Sequence, residues 1–388
     1  MTGKESHTGP ITLLGKELRL LVYDRWLLCI LTILPLGLSL FVAILFQEGI
    51  VRNLPVAAVD LDHSQLSRSL IRGYDASSQL HIQTYPCVAE ATSALRKGKV
   101  YAVAIVPSSL EKDLRRGLSP RVTVFYNYQS LLVGRVLKSA LFSAHATFNA
   151  GLKTLEGLFR GNIQLAQAQA SAVVTRRQIT PLYNVGFNYT QFLVTGLIPT
   201  IWQIIIVATM VLVWAAEERR TGVSRWLSRS AFAKVVVRFV FYQGIFLLYG
   251  MFFLVFFVQK GWPMRGSLPE LLVAQWLTIF ACQLIATLFY LCIPDAPRAL
   301  SLAAAYTAPS FAFLGITFPT TDMNLFPQLW RSLLPISHYM EIQVGMMNYG
   351  LKTGALLPSF KGLFAFWAVI VPVFVLVVIR KKVAAHRD

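Results

Sequence analysis

Long apolar runs alternate with polar stretches along this chain. A helix that crosses a bilayer needs about 20 predominantly apolar residues, and six segments of the sequence meet this requirement. They are Trp26–Phe46, Phe192–Trp214, Val235–Val258, Leu271–Ile293, Ala299–Phe318 and Gly362–Ile379. The pattern predicts an α-helical bundle of six transmembrane helices, of which the fifth is interrupted by Pro309.

A polar insertion, residues 47–191, separates the first and second predicted helices. Short apolar runs bounded by turn residues alternate there with helical patterns, which is the βαβ order of an α/β module with a mixed or parallel sheet. The predicted strands lie near Val56–Val59, Leu80–Thr84, Val100–Val106 and Arg121–Phe125. A stripe of apolar residues from Leu137 to Phe159, spaced by three or four, predicts a long helical arm after the last strand.

The N-terminal segment, residues 1–25, carries a second amphipathic pattern. Leu14, Leu18 and Leu21 recur at helical spacing, which predicts a helix lying along the membrane surface. It serves either as an interfacial anchor or as a contact for a cytoplasmic partner. The span that follows has no A-x-A cleavage site after Phe46, which favours an uncleaved anchor over a signal peptide.

Composition makes the membrane interpretation firmer. The chain of 388 residues is 55% hydrophobic and only 14% charged, whereas soluble domains contain about 25% charged residues. The formal net charge is +18, but much of this charge flanks the apolar segments. We therefore read it as a determinant of membrane topology and not as a nucleic-acid surface.

The distribution of Lys and Arg predicts the orientation, because cytoplasmic loops are enriched in both. Basic groups cluster in residues 1–25, in the loop after the second span and in the tail 380–388. Six spans place all three on one side, so both termini are expected in the cytoplasm. The predicted domains are residues 1–25, span 26–46, extracytoplasmic domain 47–191, a five-helix bundle 192–379 with an external re-entrant segment 319–350, and tail 380–388.

Three absences narrow the chemistry. The sequence contains no G-x-x-x-x-G-K-[ST] phosphate loop, so any ATPase must be another subunit. It contains no H-E-x-x-H, paired-Cys or G-x-S-x-G pattern. We therefore predict that this chain itself binds neither a cofactor nor a metal. The span interiors are almost free of ionisable residues, which ion-coupled carriers usually need. The bundle is therefore powered by a partner or not powered at all.

Charged residues concentrate at two places near the predicted membrane borders. After the second span, Glu217 and Glu218 precede a set of arginines and Gly222. This loop either enforces topology with its charge or docks on a partner, and the acid pair favours docking. Between the last two spans, Arg331, His338 and Glu341 either satisfy a hairpin or close an outer gate.

These features resemble the type-2 membrane permeases of ATP-binding-cassette exporters. The resemblance covers nearly the whole chain and rests on one span followed by five, on the Glu217–Gly222 loop, and on Gly315-Ile-Thr-Phe-Pro319 with Leu334-Pro335-Ile-Ser-His-Tyr339. Val56-Ala-Ala-Val-Asp60 and Val100–Pro107 resemble the subgroup with a large first external loop. The loop departs from the family pattern at Val223-Ser-Arg-Trp226, where the family continues with threonine-leucine and a proline.

The resemblance implies roles for particular residues. An ATPase contact is implied for Lys16, Glu17, Arg19, Glu217, Glu218 and Gly222, and an external gate for Pro319, Pro335, His338 and Glu341. The implied partners are ATP-binding-cassette ATPase subunits that hold the ATP, a second permease subunit (the same or a homologous chain), the lipid bilayer and a periplasmic adaptor.

The sequence thus predicts a non-enzymatic permease subunit of an ATP-driven exporter in a bacterial inner membrane. Its substrate would be amphiphilic or hydrophobic, because an uncharged pathway offers few binding groups for ions. The alternative is an anchored receptor or assembly scaffold whose insertion binds a ligand. A lipid-modifying membrane enzyme is a weaker third reading, since no catalytic constellation is present.

Overall fold

The computed structural model describes residues 10–46, 52–129, 131–159, 183–184, 188–222 and 231–385. The chain forms two compact units, residues 1–49 with 181–388 and residues 50–180. Residues 160–182 of the predicted insertion, the loop 223–230 and the last three residues lie outside the described residues.

The unit of residues 50–180 is built on a four-stranded mixed sheet. Its strands are β1 (Leu54–Asp60), β2 (Leu80–Thr84), β3 (Ala102–Val106) and β4 (Thr123–Tyr126), in the order β2-β1-β3-β4. β1 is parallel to both β2 and β3, and β4 is antiparallel to β3. Each predicted strand overlaps one of these four.

Helices cover both faces of this sheet, because successive strand residues point to opposite sides. On one face Leu54, Val56 and Ala102 pack with residues of α4 (Gln65–Asp75) and α7 (Leu131–Phe159). On the other, Ala57, Val59 and Val103 pack with α5 (Val88–Arg96). A short α6 (Leu110–Arg115) follows β3.

Five segments of the other unit are long and apolar enough to cross a membrane, in agreement with a helical membrane protein. These segments are Leu27–Leu45, Tyr189–Thr221, Val235–Gln259, Leu268–Cys292 and Thr353–Val383. The helices that carry them are α2 (Arg25–Leu31) with α3 (Ile33–Leu45), α8 (Tyr189–Thr221), α9 (Ala231–Gln259), α10 (Leu268–Cys292), and α15 (Leu357–Ala365) with α16 (Ile370–Ala385). A helix α1 (Pro10–Tyr23) precedes the first of them.

The predicted fifth span, Ala299–Phe318, is not a continuous helix. The chain forms α11 (Ala296–Thr307) and a four-residue α12 (Ser310–Phe313), separated at Pro309. Proline lacks the amide hydrogen of an interior helical residue and clashes with the preceding turn, which accounts for the break. The described residues give five spans and this broken pair, so the predicted count of six transmembrane helices is not confirmed.

The first span is also divided, and a side chain of a neighbouring helix bonds a backbone carbonyl at the division. α2 ends and α3 begins around Thr32. Pro35 has no amide hydrogen to donate to the Leu31 carbonyl one turn earlier. The hydroxyl of Tyr249, on α9, donates to that carbonyl at 2.5 Å.

The segment predicted to be re-entrant consists of short helices. A 3₁₀ turn at Thr320–Asp322 leads to α13 (Leu325–Ser332) and α14 (Pro335–Val344), which continues as one π-helical turn, Gly345–Tyr349. Residues of α14 belong to the buried core of the bundle, among them Ile336, Tyr339 and Met340. α13 instead leaves Leu325 and Phe326 exposed.

Candidate functional site

A buried cluster of charges joins three helices at one end of the bundle. The Nη2 of Arg238, near the start of α9, lies 2.8 Å from Oε1 of Glu17 on α1 and 2.7 Å from Oε2 of Glu217 near the end of α8. All three residues are at most 7% exposed. Opposite charges stay buried only when they are paired, so this cluster fixes α1 against the two spans.

The cluster holds two carboxylates against one guanidinium, and the arginine is stacked as well as paired. The guanidinium carbon of Arg238 lies 5.5 Å from the ring centre of Trp214, whose indole donates to the hydroxyl of Thr287 at 2.9 Å. Burial raises the pKa of the Glu17 carboxyl, and the charge of Arg238 opposes this rise. Because of its burial, Glu17 takes up a proton more readily than an exposed glutamate does.

A second charged contact at the same end of the bundle involves Glu218. Its Oε2 accepts a hydrogen bond from the hydroxyl of Tyr290, near the end of α10, at 2.7 Å. The Nη1 of Arg380, on α16, lies 3.7 Å from the same oxygen. The N-terminal helix, the end of α8, the start of α9 and the last helix therefore meet at one end of the bundle.

The residues predicted to contact an ATPase are not equivalent. Glu17 and Glu217 are buried and bound to Arg238, and Glu218 is partly covered. Arg19 and Gly222 are exposed, as is Arg219. The side chain of Lys16 lies outside the described residues. The chain leaves α8 at Gly222 with a φ of 74°, a conformation that disfavours residues with a Cβ.

Sequence reasoning did not find the central residue of the cluster. Arg238 is one of the basic residues after the second span, and its position near the start of an apolar segment is typical of a residue that only sets topology. The apolar stripe predicted for α1 is only partly right, since Leu14 and Leu18 are exposed whereas Leu21 is buried. The face turned to the bundle carries Glu17 and Leu21.

The predicted external gate residues form a polar group around α14. The Nη2 of Arg331 donates to Oε1 of Glu341 at 2.5 Å, and the hydroxyl of Ser359 donates to Oε2 at 2.6 Å. Nε2 of His338 lies 3.1 Å from the carbonyl oxygen of Ser332. These contacts connect α13, α14 and α15.

The two predicted gate prolines have backbone roles. Pro335 occupies the first helical position of α14, where no amide hydrogen is needed. Pro319 precedes the 3₁₀ turn Thr320–Asp322. Both therefore shape the entry into short helices and bring no reactive group to the site.

Beside this polar group lies a cavity of about 470 Å³. Its walls come from α8, α14 and the chain between α12 and the 3₁₀ turn. Arg331 and Glu341 are its charged lining residues, and its other polar lining residues include Asn184, Gln191, Thr195, Thr320 and Asn348. A volume of this size is within the range of pockets that hold small organic molecules, roughly 300–1,000 Å³.

The interior of the bundle is held by glutamine side chains, a feature that a search for ionisable residues could not find. The buried glutamines that bond across helices are Gln203, Gln243, Gln275, Gln283 and Gln343, each at most 8% exposed. Gln203 bonds the backbone amide of Ile336 and the hydroxyl of Ser310, and the others donate to a carbonyl of another helix. Neutral amides thus join the helices with little charge in the apolar interior.

Comparison with known proteins gives one match. The family model described as ABC-2 family transporter protein matches residues 25–379. No curated protein and no solved structure matches this chain. The matched range includes every predicted span and the polar group around α14. It also includes the charged residues at the other site, around Arg238 and Glu218, except for Glu17 and Arg380.

Proposed function

Because this chain belongs to the ABC-2 transporter protein family, we propose that it is the membrane-spanning permease subunit of an ATP-driven exporter. The energy would come from separate ATP-binding-cassette ATPase subunits, which hold the ATP. A second permease subunit, the same or a homologous chain, would complete the pathway.

The observation that carries this proposal is the attachment of α1 to the spans through Arg238. A partner that moves α1 or the end of α8 acts on a buried, paired charge, and this contact resists separation. The motion of one element therefore passes to α8 and α9 together. The exposed residues Arg19, Arg219 and Gly222 lie at this same end and form the proposed docking surface.

The proposed orientation places this end in the cytoplasm, because the basic residues of three segments collect there. The chain would lie in a bacterial inner membrane with both termini inside. The α/β unit would face the periplasm, where an adaptor protein is its proposed partner.

The proposed substrate is an amphiphilic or hydrophobic molecule, either drug-like or a lipid. The supporting observation is the character of the interior, whose buried polar groups are mainly amides and hydroxyls. The cavity beside Glu341 combines aromatic, aliphatic and polar walls, which suits a molecule with a small polar group on an apolar body.

Co-purification tests the proposal directly. The tagged chain, extracted from its native membranes in mild detergent, should bring an ATP-binding-cassette ATPase with it. The charge-reversal variants Arg19→Glu and Arg219→Glu should reduce the recovered ATPase several-fold. Exposed residues are the right targets, because reversing Glu217 would place two cations together in the interior and unfold the bundle.

Lys352→Glu is the matched control. Lys352 is exposed just before the last span, at the end opposite the proposed docking surface, so this variant should recover ATPase at the level of the unaltered chain. The permease proposal fails if no ATPase accompanies the protein and if permease-dependent ATP hydrolysis is absent in reconstituted vesicles. In that case the receptor alternative would predict loss of function from changes in the α/β unit alone.

A further inference from the structure

A proline inside α8 leaves one backbone carbonyl without its helical partner. Pro199 is within this helix and has no amide hydrogen for the carbonyl of Thr195, four residues earlier. The Nε2 of Gln343, on α14, donates to this carbonyl at 2.9 Å. Gln343 is 1% exposed and Thr195 is 8% exposed, so this bond is buried between the two helices.

The other buried glutamines make a different kind of contact. Gln243 donates to the carbonyl of Trp276 at 2.7 Å, and Gln283 donates to that of Phe239 at 3.2 Å. Both carbonyls lie in helices that have a non-proline residue four positions later, so each already has a helical donor. Gln343 alone among these three supplies the donor that the helix itself lacks.

A second contact ties the same two helices on the other side of Pro199. Oε1 of Gln203, on α8, accepts a hydrogen bond from the backbone amide of Ile336 at 3.1 Å. That amide belongs to the first turn of α14, where the helix has no internal acceptor for it. α14 is therefore fastened to α8 at positions one turn before and one turn after the proline.

These contacts lie in the wall of the cavity. The cavity is lined by Thr195 of α8 and by Met340, Glu341 and Val344 of α14. The bond from Gln343 to Thr195 joins these two helices in the cavity wall. Proline is the usual site at which a helix bends. A change of bend at Pro199 therefore acts on the wall that α14 forms.

We propose that Gln343 is a positioning residue for export, which makes α14 follow the bending of α8 at Pro199. This inference rests on the proposed function, and it adds the residue through which movement of α8 reaches the cavity. With Gln343 in place, α8 and α14 move together as walls of the cavity. Without it, α14 is held to α8 by the Gln203 bond alone, and the cavity wall near Thr195 and Val344 loses its defined width.

The test uses the permease alone in lipid nanodiscs, so it does not depend on finding the ATPase. The variants are Gln343→Leu, Pro199→Ala and their combination, each in a background without native cysteines and with Val344→Cys as a reporter. Thermal unfolding and the rate at which a maleimide modifies the reporter are measured. Gln243→Leu is the matched control, because it removes a buried amide-to-carbonyl bond away from Pro199.

The expected result has two parts. Q343L lowers the unfolding temperature by several degrees, whereas in the P199A background the same change has little effect, because the introduced alanine supplies the missing amide hydrogen. The modification rate rises about tenfold in Q343L and stays raised in the double variant, since the bond from Gln343 to α8 is absent in both.

Three outcomes would overturn the inference. The first is an equal cost of Q343L in both backgrounds, which means that the Thr195 carbonyl does not depend on Gln343. The second is an unchanged modification rate, and the third is an equal rise in Q243L. If Q343L is not recovered folded, the pair P199A and P199A/Q343L gives the same rate comparison. Failure to recover an ATPase by co-purification would contradict the exporter proposal and leave these measurements unaffected.

Discussion

The Nη2 of Arg238 lies 2.8 Å from Oε1 of Glu17, and the two side chains are 4% and 9% exposed. This pair connects α1 to a span near the border of the apolar segment. A charge in such a place is tolerated when its partner is present, and it becomes costly when the partner is removed.

Replacing Arg238 with methionine should destabilise the bundle strongly. The change leaves the carboxylates of Glu17 and Glu217 together without a counter-charge, and breaking a buried pair in this way costs roughly 3–5 kcal/mol. Thermal unfolding in detergent micelles should show a clearly lowered transition. The transition of Arg298→Met should be nearly unchanged, because the side chain of Arg298 is 82% exposed and its pair with Asp295 is on the surface. An equal effect of both variants would contradict the buried-pair account.

Neutralising Glu17 should change how stability depends on pH. Burial raises the pKa of Glu17 above its ordinary value of 4.5, so the folded chain holds a proton that the unfolded chain releases. This group therefore lowers stability as pH rises from about 4.5 to the raised pKa, and its cost is constant above it.

Glu17→Gln removes that titration and keeps a side chain that bonds Arg238. Unfolding temperatures of both proteins, measured across this pH range, should diverge as pH rises, with the variant becoming relatively more stable. Asp322→Asn, at an exposed position, is the control and should follow the unaltered chain. Parallel profiles for E17Q and the unaltered chain would show that Glu17 keeps its ordinary pKa.

The sequence predicted those parts of the fold that depend on local pattern. The four strands and the apolar spans were found, because a period of two residues and a run of about 20 apolar residues are visible within a short window. Pro309 marked the interruption of the fifth span, although the two short helices on either side of it required the structure.

The contacts of the candidate site could not be predicted in the same way. Each involves residues far apart in sequence, such as Glu17 with Arg238 and Thr195 with Gln343. The composition shows a glutamic acid and an arginine near apolar segments, but it does not show which faces of which helices meet. For this reason the sequence does not show that Glu217, for which the resemblance implies an ATPase contact, is buried against Arg238.

A methyl group added at Gly362 should disturb the predicted external gate. A Cβ there would fall inside the contact distance of Nδ1 of His338, and His338 bonds the carbonyl of Ser332 through its other nitrogen. Overpacking of this kind costs roughly 1–3 kcal/mol. Gly362→Ala should lower the unfolding temperature, and His338→Ala in the same chain should recover most of the loss.

Gly354→Ala is the matched control, since a Cβ at this position meets no atom within 4 Å. It should have a small effect. If H338A does not rescue G362A, the cost of the methyl group comes from the backbone and not from the imidazole.

The α/β unit should loosen in acid through one half-buried histidine, His145. The hydroxyl of Tyr74, on α4, lies 3.0 Å from Nδ1 of His145, on α7, and a neutral imidazole accepts this bond whereas a protonated one does not. Burial lowers the pKa of His145 below 6.5 and raises the pKa of Tyr74 to about 12. The unfolded chain therefore binds a proton that the folded chain excludes.

Stability from this contact is fully present above pH 6.5 and is lost as pH falls through 6.5 towards the lowered pKa. Hydrogen exchange of peptides from α4 and α7 in the intact chain should accelerate when pH is reduced from about 7.5 to about 5.5, after correction for the intrinsic rate. His145→Asn should remove most of this acceleration, because it cannot take up the proton. His81→Asn, at an exposed position of β2, should leave it in place. An acceleration that persists in H145N would assign the loss of stability to other groups.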